Sequence, residues 1–96
     1  MLKNFNGRLM KNVKFEGDAL LELLSWAREN PKIHQKIGEL IFDIARNPFR
    51  GLGKPEPLKH TYQGSWSHRI DDKHRLVYRV SNEAITIVSC KYHYAE

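Results

Sequence analysis

The chain has 96 residues, 41% of them hydrophobic and 10% aromatic, enough to close one core and too few for a second domain. Sixteen Lys and Arg against eleven Asp and Glu leave a formal charge of +5, which favours a polyanionic partner through counterion release and steering, nucleic acid before acidic protein. Cys90 is the single cysteine, so there is no internal disulfide; no apolar run approaches the ~20 residues of a membrane span, and Met1 to Leu9 has no apolar signal core, so a soluble cytoplasmic protein with no membrane contact is expected.

Residues 1–10 carry no clear period and read as a tail or an extended start. Asn12 to Phe15 then alternates, with Val13 and Phe15 on one face, and predicts a short strand that Gly17 breaks. Asp18 is the expected N-cap of a first helix in which Leu20, Leu23, Leu24 and Ala27 recur at helical spacing until Asn30-Pro31 stops the run. Ile33, Ile37, Leu40, Ile41 and Ile44 predict a second helix, closed by Asn47-Pro48, with Lys32, Lys36, Glu39, Asp43 and Arg46 away from the stripe. A lone helix must cover its apolar face, so both stripes are expected in the core.

Gly51 to His60 joins the helical half to a strand-rich half and has no periodicity of its own. Its glycines permit backbone angles closed to other residues, while Pro55 and Pro57 each fix their own φ and extend the residue before them. Glu56 is thus held from both sides, with Lys54, Lys59 and His60 around it. That suits a general base beside an anion. Taken alone, the segment fits a rigid polar connection at least as well.

Gln63-Gly64 signals a turn, and three alternating runs follow: Ser65 to Ile70, His74 to Val80 and Ala84 to Tyr92. Asp71-Asp72-Lys73 and Ser81-Asn82-Glu83 break them, which predicts an antiparallel meander packed by one face on the helices, an α+β fold. Alternation puts Arg75, Val77 and Arg79 on one face and Leu76, Tyr78 and Val80 on the other. With Arg69 on the neighbouring strand, the arginines form a stripe able to hold phosphates.

Lys91-Tyr92-His93-Tyr94 brings an imidazole and two phenols to the chain's end, able to stack on unpaired bases and, through His93, to move a proton near neutral pH. His34, His60, His68 and His74 have no metal-ligand spacing with Cys or Glu, so no metal site is expected. There is no phosphate-cradling Gly-Lys-Ser/Thr loop, Ser nucleophile elbow or paired-cysteine motif, and Cys90 reads as packing. A carboxylate, several cations and a terminal His-Tyr match metal-free RNA cleavage. In that chemistry a base takes the 2′-hydroxyl proton, cations stabilise the phosphorane and an acid protonates the leaving 5′-oxygen.

Four ordered motifs, Gly53-Lys54-Pro55-Glu56-Pro57-Leu58-Lys59-His60, Gly64-Ser65-Trp66-Ser67-His68-Arg69-Ile70, His74-Arg75-Leu76-Val77-Tyr78 and Tyr92-His93-Tyr94, resemble the YoeB/Txe toxins of the RelE/ParE superfamily. The resemblance implies a single RelE-like domain over 12–94, with 1–11 as an N-terminal tail or extension and 95–96 as a C-terminal one. It also implies a ribosome-dependent mRNA endoribonuclease of a type II toxin-antitoxin pair, cutting the A-site codon, inhibiting translation, using no cofactor and neutralised by a YefM-like antitoxin. Members are usually homodimers. By position, Glu56 stands where the family has its general base, Arg75 its phosphate-stabilising arginine, His93 its general acid and Tyr94 its substrate-holding terminal tyrosine. Lys59 and Arg69 fall at positive positions facing the nucleic acid; with Lys54, His60 and Arg79 they make the expected RNA-binding set. Two features depart from the pattern: Ala95 and Glu96 follow the tyrosine, and the N-terminus is longer. The competing readings are a ParE-like toxin that acts on DNA gyrase without nuclease activity and a plain basic RNA-binding module. The presence of both an acid and a base favours the nuclease.

Overall fold

The computed structural model describes residues 2–3, 9–48, 55–58 and 64–91. Leu2–Lys3 (β1) and Leu9–Met10 (β2) form a small antiparallel pair of their own, so the start of the chain, expected as a tail or an extended start, contains a ladder. Asn12–Phe15 (β3) follows, then two helices, Ala19–Glu29 (α1) and Pro31–Arg46 (α2), and four further strands: Glu56–Pro57 (β4), Trp66–Arg69 (β5), Arg75–Val80 (β6) and Ala84–Ser89 (β7).

The larger sheet has the order β3-β7-β6-β5-β4. β5, β6 and β7 are the expected antiparallel meander. β3 instead joins β7 in parallel, with Val13 opposite Ile85; α1, α2 and β4 to β6 all lie between the two strands in the chain, which leaves the long connection that a parallel pair requires. The fold class is α+β, with a mixed sheet.

α2 forms where the sequence predicts it. Pro31 occupies its first turn, where a missing N–H costs nothing, and the Asn30 side chain accepts from Ile33 N at 3.4 Å. Ile37, Leu40, Ile41 and Ile44 are buried, and Ile33 packs at their border.

α1 departs from expectation twice. Asp18 holds the N-cap position, but its side chain makes no capping bond; the chain enters instead through Gly17 at φ 54°, with Glu16 O accepting from Ala19 N at 3.1 Å. The buried side is Ala19 and Trp26 with Leu23 against them, whereas Leu20 and Leu24, both expected in the core, are 47% and 54% exposed. Ala27 is exposed as well. Leucines at 20, 21, 23 and 24 offer more than one apolar face, and Trp26 settles the choice. It has the largest surface to bury, and its indole N–H finds Cys90 O at 2.9 Å only on that side.

The core lies between the helices and one face of the sheet, where Ile37, Leu40 and Ile44 meet Leu76, Tyr78, Ile85, Ile87 and Cys90. Cys90 is packing, as expected: burial, with Glu22 adding to it, pushes its thiol up to about 12. The Tyr78 phenol donates to Pro48 O at 2.9 Å; burial, helped by Asp43, pushes it up to about 12 as well. β7, expected to reach Tyr92, ends at Ser89. Its pairing with β6 is interrupted by a bulge, since Val77 faces Ser89 while the next residue, Tyr78, faces Ile87. No helix among the described residues is long and apolar enough to cross a membrane.

Candidate active site

The Pro-Glu-Pro segment, expected as a loop, is partly a strand. Glu56–Pro57 lies on the sheet edge and pairs antiparallel with β5, Glu56 opposite Ser67 and Pro57 opposite Trp66. A proline is tolerated there because an edge position does not need its missing N–H. Leu58 N donates to Ser65 O at 2.8 Å and closes this short ladder.

Register then assembles the site. Ser67 is opposite Val77, and Arg69 is opposite Arg75. Partners directly opposite in a ladder share a face, so Glu56, Ser67, Arg69 and Arg75 all stand on the face away from the helices. Arg75 Nε donates to Ser67 Oγ at 2.8 Å, and an Arg75 terminal nitrogen lies 3.8 Å from Glu56 Oε2. The Arg75 side chain is 20% exposed and that of Glu56 70%. The arginine is therefore strapped to the sheet while the carboxylate remains open to a substrate. At 3.8 Å the pair is looser than a hydrogen bond, so the guanidinium keeps donors for another acceptor such as a phosphate oxygen.

Both residues line a cavity of about 810 Å³ that also takes in Arg69 and wraps round the β5 edge to Lys36 and His68. Arg69 is exposed and pairs with Asp72, while its Nε donates to Asp71 O at 3.2 Å. Asp71 shapes this end of the cavity, its Oδ1 accepting from Lys73 N at 2.9 Å and His74 N at 2.6 Å. Burial acts to raise its carboxyl, but those two hydrogen bonds, together with the nearby positive charge of His74 and Lys36, hold the group below its usual range.

The expected arginine stripe is thus divided. Arg69 and Arg75 face the cavity, whereas Arg79 is absent from its lining and forms a two-pronged ion pair with Glu16 at the β3 side of the sheet. The Arg79 hydrogen bond holds the Glu16 carboxyl below its usual range, and the same contact raises Arg79. Lys54, Lys59, His60, His93 and Tyr94 lie outside the described residues.

Two site residues were not singled out from the sequence. Ser67, 1% exposed, sits between Glu56 and Arg75, and only the strand register reveals it. His68 is 5% exposed on the opposite face of β5; its Nδ1 lies 3.0 Å from Arg69 O and so carries the proton, and its buried Nε2 has no partner among the described residues.

The profile of the YoeB-like toxin of bacterial type II toxin-antitoxin system matches residues 15–94, and the chain belongs to this family. It is 46% identical over 85 residues to the toxin YoeB of Mycobacterium bovis, covering 88% of this chain and all of that protein. With the toxin YoeB of Escherichia coli K12 it shares 51% identity over 73 residues, covering 76% of this chain and 87% of the relative. The Staphylococcus aureus YoeB, solved as a dimer, superposes with a TM-score of 0.81 at 41% identity, covering 90% of this chain and all of that one. The same toxin in a YoeB-YefM complex gives a TM-score of 0.79 at 42% identity, with the same coverage.

Proposed function

We propose that this toxin is a ribosome-dependent endoribonuclease that cleaves mRNA at the A-site codon and so inhibits translation, by general acid-base catalysis with no metal or other cofactor. The observation that carries the reading is the strapped Arg75 facing the open Glu56 carboxylate across three adjacent strands. Glu56 takes the proton of the 2′-hydroxyl, and the 2′-oxygen attacks the adjacent phosphorus. Arg75 stabilises the charge that grows on the phosphoryl oxygens. His93 protonates the departing 5′-oxygen, leaving a 2′,3′-cyclic phosphate and a 5′-hydroxyl. Tyr94 holds the substrate. Arg69, with Lys54, Lys59 and His60, binds the RNA backbone; Arg79, engaged with Glu16, contributes least.

A YefM-like antitoxin and a homodimeric toxin are the partners this reading requires, and the S. aureus YoeB-YefM complex and YoeB dimer support both. A ribosome as the site of action places the protein in the cytoplasm. Primer extension on a translated mRNA, with and without intact ribosomes, tests the proposal. Cuts confined to the A-site codon, dependent on ribosomes and suppressed by the antitoxin, are expected. Products with 5′-phosphate and 3′-hydroxyl ends reject the mechanism, and the absence of cleavage rejects the nuclease.

A further inference from the structure

Glu22, Ser25, Trp26 and Glu29 recur at spacings of three and four on α1 and so share one face. That face grips the chain where it leaves β7. Glu22 Oε1 accepts from Cys90 N at 2.8 Å and from the Ser89 hydroxyl at 3.2 Å, while Trp26 Nε1 donates to Cys90 O at 2.9 Å. Both backbone groups of Cys90 therefore end on α1 side chains, and its own side chain is fully buried. Lys91 extends the grip: its Nζ donates to Ser25 Oγ at 2.9 Å, pairs with Glu29 and stands 5.0 Å over the Trp26 ring.

Hydrophobic packing would not need this arrangement. A carboxylate that holds a backbone N–H gives direction as well as energy, and here the direction applies to Ser89 and Cys90, shortly before the proposed acid in the chain. β7 runs antiparallel to β6 with Ser89 opposite Val77, so the chain leaves the sheet toward the end of β6 that carries Arg75. His93 follows Cys90 in the sequence by three residues, a reach of at most ~10 Å of extended chain.

We propose that Glu22 is a positioning residue: by holding Ser89 and Cys90 it sets the point from which His93 is presented to the leaving 5′-oxygen. The inference rests on the reading of His93 as the general acid. A misplacement of ~1 Å costs up to ~10²-fold in rate. Glu22→Ala is therefore expected to slow single-turnover cleavage of ribosome-bound mRNA by ~10- to 10²-fold, with ribosome affinity within ~2-fold of the parent. Glu22→Gln keeps an acceptor oxygen for the Cys90 N–H and should return most of the rate.

A substrate with sulfur in place of the scissile 5′-oxygen separates positioning from general damage, because a thiolate departs without a proton. On that substrate the parent, Glu22→Ala and His93→Ala should cleave at similar rates, while Glu56→Gln stays slow. If sulfur fails to rescue His93→Ala, the acid assignment falls and this inference with it. If sulfur rescues His93→Ala but not Glu22→Ala, or if Glu22→Ala cleaves the ordinary substrate at the parent rate, the positioning role alone is overturned. Should Glu22→Ala not fold, Glu22→Asp, which keeps the charge but shortens the reach, is held to the same pattern.

Discussion

Ser67→Ala removes one oxygen from the centre of the site and leaves every proposed catalytic group in place. Ser67 is 1% exposed, and its Oγ accepts a hydrogen bond from Arg75 Nε at 2.8 Å. A hydrogen bond from a charged donor is worth ~1.5–3 kcal/mol when its loss leaves the partner buried and unpaired. The Arg75 side chain is still 20% exposed, so water recovers part of that, and a stability loss of about 1 kcal/mol is expected. The kinetic effect should be larger than this small structural change suggests. A preorganised donor aimed at developing charge is worth ~10²- to 10³-fold in rate; freeing one side of the arginine loosens that donor without deleting it, so a loss of about tenfold is expected, or ~1.4 kcal/mol of transition-state stabilisation. The assay is single-turnover cleavage of ribosome-bound mRNA in a double-mutant cycle with Arg75→Ala. Because Ser67 acts through Arg75, Ser67→Ala should change the rate by less than about twofold once Arg75 is already Ala. Additive losses, or a Ser67→Ala protein that cleaves at the parent rate, would refute the argument that Ser67 holds Arg75 for catalysis.

Four further outcomes are expected. Glu56→Gln keeps the shape of a 70%-exposed side chain but removes the proposed base, so cleavage should fall by at least ~10²-fold with ribosome binding nearly unchanged; cleavage at the parent rate would return Glu56 to a structural part of the edge strand. Arg79→Ala should lower cleavage no more than about threefold, against a larger loss for Arg69→Ala, because Arg79 is engaged with Glu16 outside the cavity; the reverse order counts against the divided stripe. Tyr78→Phe addresses pH: the folded phenol sits at about 12 against an ordinary value of 10.0, so the native state holds its proton where the unfolded state gives it up. Its stabilising effect is complete below pH 10 and is lost as pH rises toward 12. Denaturant midpoints should therefore show the parent's advantage over Tyr78→Phe shrinking across that window, and a constant gap would contradict the burial. Ile37→Ala, at a fully buried core position, should cost ~2–5 kcal/mol in urea unfolding; a loss under 1 kcal/mol would mean that α2 packs by another face.

Much of this protein is written in short-range pattern. The α2 stripe from Ile33 to Ile44, the Asn30-Pro31 boundary and the three alternating runs between Ser65 and Tyr92 are each local regularities, and each gave the expected kind of element, although the last strand ends at Ser89. Glu56 between its two prolines and the stripe of Arg69, Arg75 and Arg79 on alternating strands were legible as candidate chemistry for the same reason, since local pattern presents them; choosing Arg75 among the arginines took the family resemblance. The sequence did not reveal which residues would meet. The buried face of α1 was decided by Trp26 reaching Cys90 O, 64 positions away, because a leucine-rich helix has no single apolar side until a neighbour selects one. The parallel join of β3 to β7 brings together strands separated by both helices and three other strands. Ser67 and Arg79 show the same limit at the site. Strand register put Ser67 between Glu56 and Arg75, and Glu16, 63 positions from Arg79, drew that arginine away from the cavity. A hydrogen bond or ion pair of that kind depends on distances through space that no periodicity along the chain encodes, so candidate groups for the proposed chemistry could be read from sequence, but their partners came only from the fold.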